Sequence, residues 1–267
     1  MKNKYLEKLN KIEFVVTYAC TGRCKHCSEG DHRTFGERID PRMAADAVRR
    51  VSLEYAIETV MAFGGEPLLY TDAVYAIMSA AKESGVPHRQ IITNGYFTKN
   101  SEKMREVAWG LKSSGVNDLL LSVDAFHQET IPIETVRAFA LEVILAGIRL
   151  QLQPAWLVSR EDDNPYNERT RNILNALSDL GAPVGKGNVV FPEGNARIYL
   201  GEYFSDKEPK NPYIEDPCCV KCLSIEPNGD LLGSNILDTD IMEILNGYAP
   251  NEYFEGRSNE TNSDNRR

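Results

Sequence analysis

Three thiols fall within eight residues, at Cys20, Cys24 and Cys27, in the spacing Cys-x3-Cys-x2-Cys. The loop offers three thiolates and no evident fourth ligand. A structural zinc site wants four ligands in a closed tetrahedron. Three cysteines on one loop suit a cubane iron–sulfur cluster better, because each takes one iron and the last iron is left open. An open iron can be chelated by an amine and a carboxylate, which an amino acid moiety supplies. Zinc and unrelated surface thiols are the plainer alternatives. His26, between two of the thiols, reads as a group packed beside the metal and not as a ligand, and His127 as either a substrate contact or a solvated loop histidine.

The elements that must position this loop are legible as alternation. Apolar, β-branched runs at 12–18, 57–64, 89–95, 117–124, 148–158 and 183–191 alternate with helical periodicity at 41–55, 72–84, 99–113, 132–146 and 166–180. Asp40-Pro41 reads as an N-cap followed by a first-turn proline. Gly85, Gly115, Gly147 and Gly181 fall just past helical runs, where a left-handed residue is wanted. Repeated strand–helix units predict a mostly parallel sheet with right-handed crossovers. Six strands are too few for a closed eight-fold barrel, so the expected fold is α/β, a partial (β/α)6 TIM-like barrel over 1–191. In such folds chemistry belongs in the loops after the C-terminal strand ends. The cysteine loop follows the first strand, Gly64-Gly65-Glu66-Pro67 the second, Thr93-Asn94-Gly95 the third and Ser122-Val123-Asp124 the fourth. Four unusual segments thus share one predicted edge.

This ordered set resembles the radical S-adenosylmethionine (radical SAM) superfamily. The resemblance covers residues 12 to about 191. It implies an enzyme in which a [4Fe–4S] cluster held by Cys20, Cys24 and Cys27 cleaves S-adenosylmethionine reductively. The resulting 5′-deoxyadenosyl radical takes a hydrogen atom from substrate. Gly64 and Gly65 would let backbone approach the methionine amino group, Glu66 would reinforce that contact, and Pro67 would fix the turn. Asn94, Ser122 and Asp124 would meet the ribose or the methionine carboxylate, and Gln153 to Trp156 would flank the adenine. An electron donor such as flavodoxin or ferredoxin is implied as a partner.

A second cysteine group, Cys218, Cys219 and Cys222, precedes "LSIEPNGDLLGSN", whose Asn-Gly step signals a hairpin. Residues 218–232 resemble the cysteine-bearing C-terminal appendix, of SPASM or shorter twitch type, of peptide-modifying radical SAM enzymes. Residues 192–250 therefore read as a short cysteine-bearing extension, and 251–267, which lacks apolar side chains from 255 onward, as a disordered tail. Three roles are open to the second group: ligands of a second [4Fe–4S] cluster, a hydrogen-atom donor at Cys219, or vestigial thiols. The expected substrate is a peptide, for cross-linking or epimerisation. The alternatives are a small molecule such as an amino sugar or nucleoside, and a non-catalytic iron–sulfur or zinc protein that binds a partner. A net charge of −9 argues against nucleic acid. The sequence has no apolar run of bilayer length and no signal-peptide pattern, so no membrane partner and a cytoplasmic location are expected.

Overall fold

The capping signals work as the sequence predicts. In a computed structural model describing residues 2–30, 36–204 and 209–250, Asp40 Oδ1 accepts from the backbone N–H of Arg42 and Met43 at 2.9 and 2.8 Å. Pro41 then opens the first helix. Gly85, Gly115, Gly147 and Gly181 all have positive φ, between 65° and 105°. Five strand–helix repeats follow from this punctuation: β1 (Lys11–Val15), α1 (Pro41–Glu54), β2 (Thr59–Phe63), α2 (Thr71–Glu83), β3 (His88–Thr93), α3 (Ser101–Ser114), β4 (Asp118–Ser122), α4 (Ile133–Leu145), β5 (Arg149–Gln153), and, after a two-residue strand β6 (Ala155–Trp156), α5 (Pro165–Ala176). The later elements are β7 (Asn188–Val189), α6 (Gly194–Tyr199), β8 (Cys222–Ile225), β9 (Asp230–Leu231), β10 (Ser234–Asn235) and α7 (Ile241–Gly247).

The main sheet has the order β5-β4-β3-β2-β1-β8, and every pair is parallel. One face packs on the helices. Ile12, Phe14, Val60, Ala62, Ile91, Leu119, Leu121, Leu150 and Leu152 share a core with Val48, Val51, Ile77, Val107, Leu111 and Val136. The alternate residues point to the other, inner face, and their register places Ser224, Glu13, Met61, Gln90, Asp118 and Arg149 in one row across six strands. The result is an open, partial TIM-like barrel, as expected.

The sixth strand differs from expectation. The 183–191 run does lie parallel to 152–156, with Leu152 N–H donating to Pro183 O (2.9 Å) and Val190 N–H to Trp156 O (2.9 Å). It forms only an isolated bridge at Val184 and the two-residue pair β6–β7. Gly185 and Gly187 break it: they sit where a Cβ would be 2.3 Å from Gln153 Oε1 and 2.4 Å from Pro154 O. Glycine in a strand marks such close approach and weakens the strand. The sixth strand of the main sheet is instead β8, from the extension, laid on the free side of β1 with Lys11 opposite Cys222. The extension is therefore not a separate appendix, since Leu223 and Ile225 lie in the main core. The hairpin sits one step later than expected. Leu232 and Gly233, both with positive φ (50° and 78°), form the two-residue turn between β9 and β10. No helix among the described residues is long and apolar enough to cross a membrane. The tail at 251–267 lies outside the described residues.

Candidate active site

The cysteine loop is stitched to the loop after β2. The N–H of Gly65 donates to Thr17 O and that of Glu66 to Ala19 O, both at 2.8 Å. A Cβ on Gly64 would meet Thr17 O at 2.5 Å, and one on Gly65 would meet Ala19 O at 2.2 Å. Both glycines are thus required by main chain lying against main chain. The back of the loop is clasped by the segment around α6, a role the sequence leaves unassigned. Asn195 N–H donates to Cys27 O (2.9 Å), its side-chain amide donates to Cys24 O (3.2 Å), and Gly194 leaves no room beside Ser28 O.

Inside this clasp stand the three thiols. Cys24 is buried, Cys20 and Cys27 half-buried, and the sulfurs of Cys20 and Cys24 fill the space where a side chain at Gly22 would go. Burial and the nearby Glu66 carboxylate push the Cys20 thiol up to about 12. Burial also raises Cys24, with Asp124 next in effect, and burial raises Cys27. Three thiols so placed ionise together only when cations replace their protons, as iron does. The amide of Asn94 also points at Cys20 Sγ, 3.5 Å away. Ligand-type atoms of Cys24, His26 and His127 lie within 4.8 Å of one another, with Cys20 and Cys27 outside that group. His26 Nδ1 is buried without a hydrogen-bond partner. Its ring lies between Phe126 (4.8 Å) and His127 (4.9 Å), and burial lowers its pKa to about 4. A neutral imidazole with an orphaned nitrogen beside three thiols fits a site built around a bound group. The residues present fit an iron–sulfur cluster.

Several predicted contacts have a different job. Glu66 is fully buried and accepts from Thr93 Oγ1 (2.7 Å), Leu68 N–H (2.9 Å) and Asn94 N–H (2.9 Å). It ties the ends of β2 and β3 together. Burial raises it to about 7 despite those bonds. Asp124, also fully buried, accepts from the N–H groups of Phe126, His127 and Ala155 and from His127 Nδ1 at 2.8–3.0 Å. Burial alone would raise Asp124, but the adjacent His127 outweighs it and brings the carboxyl to about 2. Asp124 is a positioning residue for His127 and the strand β6, and not a ribose contact. Trp156 is 3% exposed and donates its indole N–H to Lys186 O at 3.0 Å, so it packs β6 on β7 and does not flank an adenine. Ser122 and Gln153, half-buried and opposite each other at the ends of β4 and β5, do face the inner side. Pro67 opens a short 3-10 turn at Pro67–Tyr70.

The second cysteine group lies at the opposite edge. Val220 N–H donates to Tyr5 O, and Cys222 pairs with Lys11 at the start of β1. Four strand residues, about 13 Å at ~3.3 Å each, separate that level from the end of β1. Cys222 is on the inner face; burial and then Glu13 raise its thiol. Sequence reasoning also missed Tyr18, whose hydroxyl bonds the Glu226 carboxylate at the far end of β8 and joins the extension to the cysteine loop.

Comparison with known proteins agrees with this geometry. A family model described as the radical SAM superfamily matches residues 14–197. A probable GTP 3′,8-cyclase of Sulfolobus acidocaldarius is 30% identical over 162 residues, which is 58% of this chain and 48% of that protein. The chain thus spans about half the length of this curated relative. Among solved structures, Streptococcus suis SuiB bound to S-adenosylmethionine superposes with a TM-score of 0.60 at 14% identity, covering 94% of this chain and 68% of SuiB. BtrN in complex with AdoMet and 2-DOIA gives 0.50 at 16%, covering 94% and 86%. At such identities these two share the fold. The chain belongs to the radical SAM superfamily and is an enzyme of that family, whose cofactors are a [4Fe–4S] cluster and S-adenosylmethionine.

Proposed function

We propose that this enzyme abstracts a hydrogen atom from a small molecule held against the inner face of the sheet. The observation that carries this reading is the inner face itself. Below the cysteine loop it presents half-buried Ile92, Leu120 and Gln151, then the polar row through Gln90 and Asp118. Such a surface suits a compact molecule with an apolar body and polar end. The relative named GTP 3′,8-cyclase, a protein named for a small-molecule reaction, supports the same choice.

When bound, the cluster and S-adenosylmethionine supply the electron and the deoxyadenosyl radical. The chain's own residues do the rest. Cys20, Cys24 and Cys27 would hold iron, and Asn94 turns its amide to the Cys20 sulfur. Gly64 and Gly65 keep the loop after β2 close enough to lie beside the cofactor, and Glu66 locks that loop to β3. Ser122 and Gln153 offer polar groups at the mouth. Phe126 and Leu157, both fully buried, help to exclude water behind the cysteines. Flavodoxin or ferredoxin would deliver the electron. Cys218, Cys219 and Cys222 would hold a second cluster at the base of the same face, with the substrate between the two groups.

A peptide substrate is the second reading, carried by the likeness of residues 218–232 to the appendix of peptide-modifying enzymes. Anaerobic reconstitution separates these claims. Wild type should hold about eight irons if both groups bind a cubane and about four if only the first does. Cys20/Cys24/Cys27→Ala should lose 5′-deoxyadenosine formation from S-adenosylmethionine and dithionite. Retention of that activity, or colourless zinc in its place, refutes the proposed site. Cys218/Cys219/Cys222→Ala should lose about four irons, and an unchanged count removes the second cluster.

A further inference from the structure

We infer that Asp118 is the recognition residue for the far end of the substrate, and that this end carries an N–H donor on a ring, as an amino-substituted base or an amino sugar does. This rests on the small-molecule reading above. Asp118 is 7% exposed, and its Oδ1 is buried without a hydrogen-bond partner. The other oxygen, Oδ2, accepts from Gln90 Nε2 at 2.8 Å. Arg149 Nε forms an ion pair with Oδ1 at 3.7 Å, too long for a hydrogen bond, from a side chain that is 66% exposed. A buried carboxylate oxygen without a hydrogen-bond donor is costly, and a ligand that donates to it removes that cost.

Position and surroundings specify the ligand. Asp118 begins β4, four residues below Ser122, or about 13 Å from the mouth at ~3.3 Å per residue. Between the two levels the inner face carries Ile92 and Leu120, side by side and half-buried. At the other end of the row, Glu13 is neutralised by its ion pair with Lys11. A molecule that reaches Asp118 from the mouth therefore passes an apolar tier and meets a carboxylate oxygen that has no hydrogen-bond donor and only the longer ion pair with Arg149. An ammonium at that point gains a charge-assisted bond stronger than the one a neutral hydroxyl makes, and an ionised phosphate offers no donor to a carboxylate that only accepts. Phosphate would also be repelled.

Two sources share this chemistry, and paired probes separate them. Binding is measured by calorimetry on the anaerobic, cluster-loaded enzyme with S-adenosylmethionine, using GTP against ITP, which lacks the exocyclic amine, and glucosamine against glucose. In one pair the amine form should bind wild type about 10- to 100-fold more tightly, the range of a hydrogen bond to a charged group. Asp118→Asn should reduce that preference to about twofold or less, whereas Arg149→Ala should leave it. The pair that responds identifies the source. If Asp118 serves only to hold β4 to β5, both variants lower the denaturation midpoint and neither moves the preference, which overturns the inference. Binding of the probes with no amine preference also overturns it and leaves the small-molecule reading standing. Binding by no probe at all counts against both.

Discussion

The contact most open to a quantitative test is that of Gly65 with the cysteine loop. A methyl group there would lie 2.2 Å from Ala19 O, 2.6 Å from Tyr18 O and 2.7 Å from the Ala19 carbonyl carbon. All three are main-chain atoms, so no rotamer change relieves the overlap. The two loops must part by roughly 1 Å, which lengthens the 2.8 Å bonds Gly65 N–H···O Thr17 and Glu66 N–H···O Ala19. Two weakened buried hydrogen bonds cost about 1 kcal/mol each. Overpacking adds about 1–3 kcal/mol. Gly65→Ala should therefore destabilise the chain by about 3–5 kcal/mol, and by moving Cys20 it should also lower iron content after reconstitution. Gly201→Ala is the control, because nothing lies within 4 Å of that Cβ. The assay is anaerobic denaturation in guanidinium together with iron analysis. A Gly65→Ala variant within about 0.5 kcal/mol of the control and with equal iron refutes the reasoning.

Other expectations follow from the internal carboxylates and the indole. Asp124→Asn places an amide N–H₂ against at least one of the N–H donors that now face the carboxylate, and should cost about 2–4 kcal/mol in denaturant unfolding; a loss below about 1 kcal/mol would mean the four bonds matter little. Glu66 is raised from an ordinary value of 4.5 to about 7. Its stabilising contribution is therefore complete below pH 4.5 and lost as pH rises through 7, a change of about 3 kcal/mol. Glu66→Gln lacks this titration, so the stability of wild type relative to Glu66→Gln should fall between pH 5 and pH 8, and a constant difference would contradict the assigned burial. Trp156→Phe should cost about 1 kcal/mol for the bond to Lys186 and leave the dissociation constant of S-adenosylmethionine unchanged. A tenfold weaker affinity would return that residue to the cofactor.

Much of the site was readable in advance because it depends on local signals. Spacing alone marks Cys20, Cys24 and Cys27, and alternation with caps places them after the first strand. The ends of β2, β3 and β4 meet on one edge for the same reason. What stayed hidden depends on long-range pairing. A Glu or Asp at a strand end reads equally well as a ligand contact or as an acceptor for loop N–H groups, and Glu66 and Asp124 proved to be acceptors because buried backbone donors must be satisfied. Trp156 reads as an aromatic wall, but its depth is set by residues 186–187, 30 positions later in the chain. The partnership of β8 with β1 joins residues some 210 apart, and neither strand carries a mark of the other. The Asn195 clasp lies 171 positions from Cys24 in the loop it holds.

The pairing of β8 with β1 bears on how the polypeptide can be shortened. Cutting the gene near residue 192, the natural-looking seam, would strip the strand that leads into the metal loop of its outer neighbour. Lys11 to Phe14 would become a bare sheet border, open to self-association. The truncated product should precipitate or oligomerise instead of persisting as a smaller catalytic unit. In native-state hydrogen exchange, amides of Leu223 and Ile225 should open together with those of Ile12 and Phe14, as one cooperative block.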